Sequence, residues 1–233
     1  AADGQKAAIN AAIARTEVER LPDDPKLMQA AIAGGAAAFR VHCVQCHGSG
    51  AAGAKGYPNL NDDDWLFGGD LKTLVQTITH GSRSPGDEAT HAILMPAFGR
   101  DGILKPDDVQ DVVSYVRLLS KREGPSASSA RGATLFANNC AVCHGADGKG
   151  SREQGAPNLT DDIWLYGGDR DTLTQTVENA RAGVMPAWGS RLDPVTIKML
   201  AAYVHSLGGG EATPVVPATP AAAAAKAPAS VQP

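Results

Sequence analysis

The sequence predicts an all-α chain made of two tandem copies of one small domain. Three observations predict it. A set of short words recurs at nearly constant spacing along the 233 residues. Apolar residues fall at helical intervals in the segments that flank those words. Almost nothing alternates apolar and polar as a half-buried strand would.

The repeat comes first because it sets the domain count. Gly35-x3-Phe39-x3-Cys43 returns as Gly132-x3-Phe136-x3-Cys140, and Pro58-Asn59-Leu60 returns as Pro157-Asn158-Leu159. Trp65-Leu66-Phe67-Gly68-Gly69-Asp70 answers to Trp164-Leu165-Tyr166-Gly167-Gly168-Asp169. Met95-Pro96-Ala97-Phe98-Gly99 answers to Met185-Pro186-Ala187-Trp188-Gly189, and Tyr115-Val116 to Tyr203-Val204. The offset drifts from 97 at the cysteines to 99 at the tryptophans and 90 at the methionines. Such drift places insertions in loops between fixed landmarks, with the extra loop of the first copy at residues 82–90. The expected organisation is an N-terminal arm at 1–26, a first domain at 27–120 and a linker at 121–129. A second domain follows at 130–210, and an Ala/Pro-rich tail at 211–233. The arm reads as partly helical and has no counterpart in the second copy. The linker is rich in Ser, Gly and Pro. The tail, with nine Ala and five Pro, is expected to be disordered.

Within the copies, residues 27–43 combine helix formers with apolar spacing that leads into the first cysteine pair. Val109, Val112, Val113 and Val116 share one face of a helix over 107–119. Ile197, Leu200, Val204 and Leu207 do the same over 196–207, behind an Asp193-Pro194 start. Gly35 and Gly132, with Phe39 and Phe136, suggest close crossing of each first helix against a last helix near Tyr115 and Tyr203.

The net charge of −4 gives no electrostatic case for nucleic-acid binding, which needs basic patches to displace counterions. No run of about 20 apolar residues is present, so nothing reads as a membrane span. The first residues lack the features of a signal peptide. The expectation is a mature exported protein or a soluble piece of something anchored. Four Phe, four Tyr and three Trp are few for two independent cores, and small domains with thin cores commonly recruit a cofactor or metal as a staple.

The cysteines supply that staple. Cys43-Val44-Gln45-Cys46-His47 and Cys140-Ala141-Val142-Cys143-His144 are both Cys-x-x-Cys-His, the attachment signature of c-type haem. Two thiols on one helical turn reach the same edge of the macrocycle, and the next residue offers its imidazole to iron. Disulfides within such tight pairs would close tiny loops and stabilise little. Zinc would want a second Cys or His pair nearby, and none follows. The expected cofactors are therefore two covalently bound haem c groups.

A sixth iron ligand is sought next. Met95 and Met185 lie 48 and 41 residues beyond His47 and His144, each in Met-Pro-Ala-aromatic-Gly. A lone methionine is usually a core filler, but repetition at matching places points to ligation. A His/Met pair raises the potential and fills both axial positions, as electron transfer wants. Each methionine is expected to serve the iron of its own repeat, since that needs no special interface, although crossing is open. His80 and His91, in the enlarged loop, are rival ligands. Met28 and Met199 read as core, and His42 and His205 as non-ligands. Pro58 and Pro157 could accept the Nδ1 proton of the haem histidine or be plain loop prolines. Trp65 and Trp164 could shield a haem edge, hold a propionate or simply pack.

On these residues each copy resembles the class I cytochrome c fold, and the whole pattern resembles the dihaem subunit of cbb3-type cytochrome c oxidases, the CcoP or FixP family. The words that carry the second resemblance are Tyr57-Pro58-Asn59-Leu60 with Asp64-Trp65-Leu66, and Gly155-Ala156-Pro157-Asn158-Leu159 with Trp164-Leu165-Tyr166-Gly167-Gly168. The ending Ala202-Tyr203-Val204-His205-Ser206-Leu207-Gly208-Gly209-Gly210-Glu211 belongs with them. The likeness covers roughly residues 25–211. It implies an electron-transfer subunit that is no enzyme by itself. Electrons pass from a donor cytochrome c, through the two haems, to a monohaem subunit and thence to the haem–copper subunit that reduces oxygen. It implies binding by Cys43, Cys46, His47 and Met95 and by Cys140, Cys143, His144 and Met185, with iron on His47, Met95, His144 and Met185. It also implies a periplasmic site of action, on the membrane only through an N-terminal anchor or partner subunits. The family's anchor has no counterpart in this sequence. A free periplasmic dihaem shuttle of cytochrome c4 type is the alternative. An enzyme of the dihaem peroxidase or thiosulfate-oxidising type would need an open iron site.

Overall fold

The computed structural model describes residues 2–212. Among them the architecture is helical, with isolated β-bridges in place of a sheet. An arm of α1 (Ala2–Arg15) and a 3-10 helix (Val18–Asp23) leads into α2 (Pro25–His42) and the single turn α3 (Val44–His47). The first repeat continues with α4 (Leu71–His80) and α5 (Pro106–Leu119). The second contributes α6 (Ala127–Asn139), the turn α7 (Ala141–His144), α8 (Arg170–Asn179) and α9 (Pro194–His205). The expected linker gives up three residues to α6, because Ser126 caps that helix by accepting from the Ser129 amide at 3.0 Å. The tail from residue 213 onward lies outside the described residues.

Sequence words become helix starts. Asp70 accepts from the amides of Lys72 and Thr73 at 3.1 Å, and Asp169 from the amide of Thr172 at 2.9 Å. The Gly-Gly-Asp words therefore end in the N-caps of α4 and α8. Asp193 caps α9 in the same way, with Pro194 at the first helical position.

The two repeats do not pack as two self-contained bodies. In the first body α2 and α4 lie against α9, around Phe39, Leu74, Ile78, Ile197 and Leu200. In the second, α6 and α8 lie against α5, around Phe136, Val109, Val112, Val113 and Leu173. The last helix of each repeat has changed places, so the ranges 27–120 and 130–210 delimit the repeats but not the packed units. The cause is the short connection between α5 and α6, which favours packing of consecutive helices on each other. Once α5 covers α6, only α9 is left to cover α2.

The crossings are as close as backbones allow. A Cβ on Gly35 would stand 1.9 Å from the Met199 carbonyl oxygen, and one on Gly132 would stand 1.9 Å from that of Asp111. The same glycines abut the Cβ atoms of Tyr203 and Tyr115, at 2.7 and 2.9 Å. The expected glycine crossing is present, but it runs between repeats.

The outer faces of the bodies differ. In the first, Ala31, Leu71 and Ala202 form an apolar face that the arm covers with Ile13, Val18 and Leu21. Met28 and Met199 pack there as core. Lys198 Nζ closes the end of α1 by donating to the carbonyls of Ala14 and Thr16, at 3.1 and 2.6 Å. Repeat alignment puts Ser128, Arg170, Ser114 and Asp111 where the first body has Ala31, Leu71, Ala202 and Met199. Asp111 receives Arg131 through Nε and Nη2 at 2.6 and 2.8 Å and Ser128 Oγ at 2.6 Å. Arg170 Nη2 donates to Ser114 Oγ and to Glu123 at 3.1 and 2.6 Å. A hydrogen-bonded network thus replaces the arm.

Two expectations follow. Gly132→Ala should cost about 3 kcal/mol of overpacking against a helix-propensity gain of about 1 kcal/mol, giving a lower melting temperature by calorimetry of the haem-loaded protein. The Arg131 bonds beside Asp111 hold its carboxyl below the usual range. A depressed carboxyl stabilises the fold above its unfolded-state value of about 3.9, and this contribution disappears as pH falls through the lower folded-state value. Asp111→Asn should therefore lose about 1–3 kcal/mol at pH 7 and less stability than the parent between pH 5 and pH 3, read by denaturant titration at each pH.

Candidate functional site

Each Cys-x-x-Cys-His occupies the same local structure. Helix α2 ends at Cys43, and α6 at Cys140; the chain then makes one further helical turn. In that turn His47 N–H donates to Cys43 O at 3.0 Å and His144 N–H to Cys140 O at 2.9 Å. Positions i, i+3 and i+4 share a helix face, so both sulfurs and the imidazole issue from one side. None of the four cysteines is paired in a disulfide, and burial, with help from the neighbouring Cys46 and Cys143, pushes the unattached Cys43 and Cys140 thiols up to about 11.

The loop after each turn folds back onto the histidine. Gly53 N–H donates to His47 O and Leu60 N–H to Ala51 O, which brings the Pro58 carbonyl to 3.1 Å from His47 Nδ1. In the second copy the Pro157 carbonyl stands 3.0 Å from His144 Nδ1. A carbonyl only accepts, so Nδ1 carries the proton and the Nε2 lone pair is free for a metal. Burial lowers the pKa of both imidazoles, against the pull of the proline carbonyls, and favours this neutral form. Phe39 and Phe136 hold the rings from the helix side, with centroids 6.4 and 6.5 Å away and the same 43° tilt.

The methionines sit across the repeats. Met95 packs against the cluster that holds Cys140 and Phe136, and Met185 against the one with Phe39 beside Cys43. This reverses the expected same-repeat placement. Met185 is stitched to the first repeat by reciprocal backbone bonds with Ser82 at 3.0 Å, continued by Trp188 N–H to Ile78 O and Gly189 N–H to Thr79 O. The Met95 loop is tied to the second repeat through Arg100 N–H and Glu178 O at 2.9 Å.

The other sequence candidates have partners of their own. His80 ends α4 instead of lying in the enlarged loop, and its Nδ1 faces the carboxylate of Asp87 in that loop at 3.1 Å. His91 stacks on Phe67 with centroids 3.7 Å apart and meets Thr77 Oγ1 at 3.2 Å. His42 lies by Trp188, and His205 Nε2 donates to Glu211 O at 2.9 Å. Trp65 Nε1 donates to Gly209 O at 2.6 Å, whereas Trp164 Nε1 is buried with no partner among the described residues. Glu211, placed by sequence in the tail, is part of the structure: its carboxylate takes the Gly69 amide and Arg152. Glu123 is its counterpart in the second body and takes Arg117 and Arg170. Sequence reading missed both glutamates, although Leu207-Gly208-Gly209-Gly210-Glu211 and Leu119-Ser120-Lys121-Arg122-Glu123 align.

Comparison with known proteins agrees with this geometry. The family described as cytochrome c oxidase, cbb3-type, subunit III matches residues 30–116 and 127–204. The chain belongs to that family. It is 55% identical over 205 residues to the cbb3-type cytochrome c oxidase subunit CcoP of Cereibacter sphaeroides, covering 88% of this chain and 71% of that one. It is 53% identical to the subunit FixP of Azorhizobium caulinodans, covering 88% and 70%, and 54% identical to FixP of Bradyrhizobium diazoefficiens, covering 89% and 71%. This subunit III chain therefore has the tandem all-α cytochrome c fold, a family whose cofactor is covalent haem c. Among its described residues no helix is long and apolar enough to cross a membrane. No cluster of three or more His, Cys, Asp or Glu there would hold a bare metal ion.

The Trp65 hydrogen bond is testable. Trp65→Phe leaves the Gly209 carbonyl unpaired and should destabilise by about 1–2 kcal/mol, read by thermal melts of the haem-loaded protein.

Proposed function

We propose that the chain holds two covalent haem c groups and relays electrons from a donor cytochrome c towards the oxygen-reducing core of a cbb3-type oxidase. The observation that carries the reading is the duplicated site: a thiol pair and a neutral imidazole on one turn, with a methionine delivered to it from the other repeat. The donor set fits the group. A pair of cysteines engaged in no disulfide stands at each attachment position, each imidazole keeps Nε2 open, and thioether sulfur is the partner ligand that raises potential. When bound, each haem supplies a one-electron couple.

The residues have the following roles. Cys43 and Cys46 would hold the first group, with His47 and Met185 offered to its iron. Cys140 and Cys143 would hold the second, with His144 and Met95. Pro58 and Pro157 fix the imidazole planes. Phe39 and Phe136, each at 1% exposure, keep water from the helix side. With an imidazole and a thioether offered to each iron, neither site would keep a ligand position for a substrate, which supports the reading of a relay that is no enzyme by itself. The relatives are named as subunits of cbb3-type cytochrome c oxidases, which supports oxidase subunits as partners; in this reading they are the monohaem and haem–copper subunits, and the chain works on the periplasmic face of the membrane.

The purified protein should contain two haems per chain by pyridine haemochrome assay. Met185→Ala should halve the sulfur–iron charge-transfer band of the oxidised protein and lower one potential. Combining it with Cys43→Ser and Cys46→Ser should remove no further band, whereas combining it with Cys140→Ser and Cys143→Ser should abolish the band. The opposite pattern would assign each methionine to its own repeat.

A further inference from the structure

The loop that orients each haem histidine carries an aromatic ring from the other repeat. Gly56 lies two residues before Pro58, whose carbonyl takes the His47 Nδ1 proton. Tyr166 covers it: a Cβ on Gly56 would stand 3.3 Å from Tyr166 Cε1, and Gly56 N–H donates to the neighbouring Leu165 O at 2.8 Å. In the second copy Gly155 lies two residues before Pro157, whose carbonyl takes the His144 proton. Phe67 covers it, 2.8 Å from where a Cβ would be. Both glycines have positive φ, +87° and +55°, so each ring rests on bare backbone.

The rings are themselves fixed. Tyr166 has the Arg181 guanidinium 5.4 Å from its centroid, and Phe67 has the parallel ring of His91. Tyr166 shares its loop with Trp164, which packs in the second body, and Phe67 shares its loop with Trp65, which packs in the first. Each ring therefore belongs to one body and presses on the histidine loop of the other.

We infer that Tyr166 and Phe67 are positioning residues that act across the repeat boundary, Tyr166 on His47 and Phe67 on His144. A hydrogen bond to the outer ring nitrogen sets the orientation and basicity of a metal-bound imidazole. A ring that sets the carbonyl therefore sets the potential of the opposite site. This rests on the haem reading above.

The test uses the two-haem protein and resolves each potential by following the shifted axial methionine methyl signals during a redox titration monitored by NMR. Tyr166→Ser should move the reduction equilibrium of the haem on Cys43 and Cys46 about threefold, or about 30 mV at about 59 mV per tenfold. The haem on Cys140 and Cys143, in its own repeat, should move less. Phe67→Ser should do the reverse, and Tyr166→Phe, which keeps the ring, should match the parent. The His47 Nδ1–H signal of the reduced protein should shift in Tyr166→Ser only. Tyr166→Leu and Phe67→Leu keep apolar filling, and are read in the same way if the serine variants do not accumulate. Two haems per chain with the larger shift in the own-repeat haem, or with no shift while the melting temperature falls, would overturn this inference alone. Fewer than two haems in the parent protein would overturn the reading beneath it as well.

Discussion

Everything in this molecule is arranged around two glycine crossings, Gly35 on the Met199–Tyr203 turn of α9 and Gly132 on the Asp111–Tyr115 turn of α5. Side chains at either glycine would hold the helices apart, and the phenylalanine one turn on would lose its tyrosine, 5.2 Å away in both bodies. Because α5 passes directly into α6, the pairing that forms most locally is the one between repeats. The exchange then follows for everything downstream of α4 and α8. Each Met-Pro loop precedes the exchanged helix and is carried with it to the other repeat's cysteines.

The same exchange explains the arm and the polar network. Two copies of one domain would bury similar surfaces, yet here the equivalent outer faces have opposite chemistry. Ala31, Leu71 and Ala202 leave an apolar face that needs a cover, and residues 2–23 supply it. Ser128, Arg170 and Ser114 would be poor partners for such a cover, and they satisfy one another and Asp111 instead. Burial alone would raise the Glu123 carboxyl, but Arg117 and Arg170 more than offset it and hold the group ionised. That charge is fixed against α5 and the start of α8, where Glu211 does the same for the first body with Arg152.

The chemistry was legible in the sequence because it is carried by short words at fixed spacing. Cys-x-x-Cys-His and the returning prolines need only local structure to be meaningful, and the folded loops place Pro58 and Pro157 against their histidines. Which methionine goes with which cysteines was not legible from the words themselves, since Tyr115 and Tyr203 complement either glycine equally well. The deciding signal was the length of chain between α5 and α6, and it was obscured because Ala127, Ser128 and Ser129 read as linker. Helix α8 escaped notice for a different reason. Only Leu173 and Val177 are buried in it, too few for a clear periodicity, and its surest marker was the capping Asp169 after Gly167-Gly168.

A relay between two centres transfers electrons at a rate set by their separation, so motion between the halves would make that rate variable. Domains joined by a simple linker move relative to each other unless their interface is large. Here the packed bodies are joined by two passages of chain, residues 81–105 and 180–193, in place of one linker. Between the bodies Gly56 N–H donates to Leu165 O, Arg152 donates to the Glu211 carboxylate, and Tyr166 and Phe67 rest on the glycine loops of the opposite body. To change the spacing of the sites, the protein would have to break these contacts together, within the reach that the two passages allow.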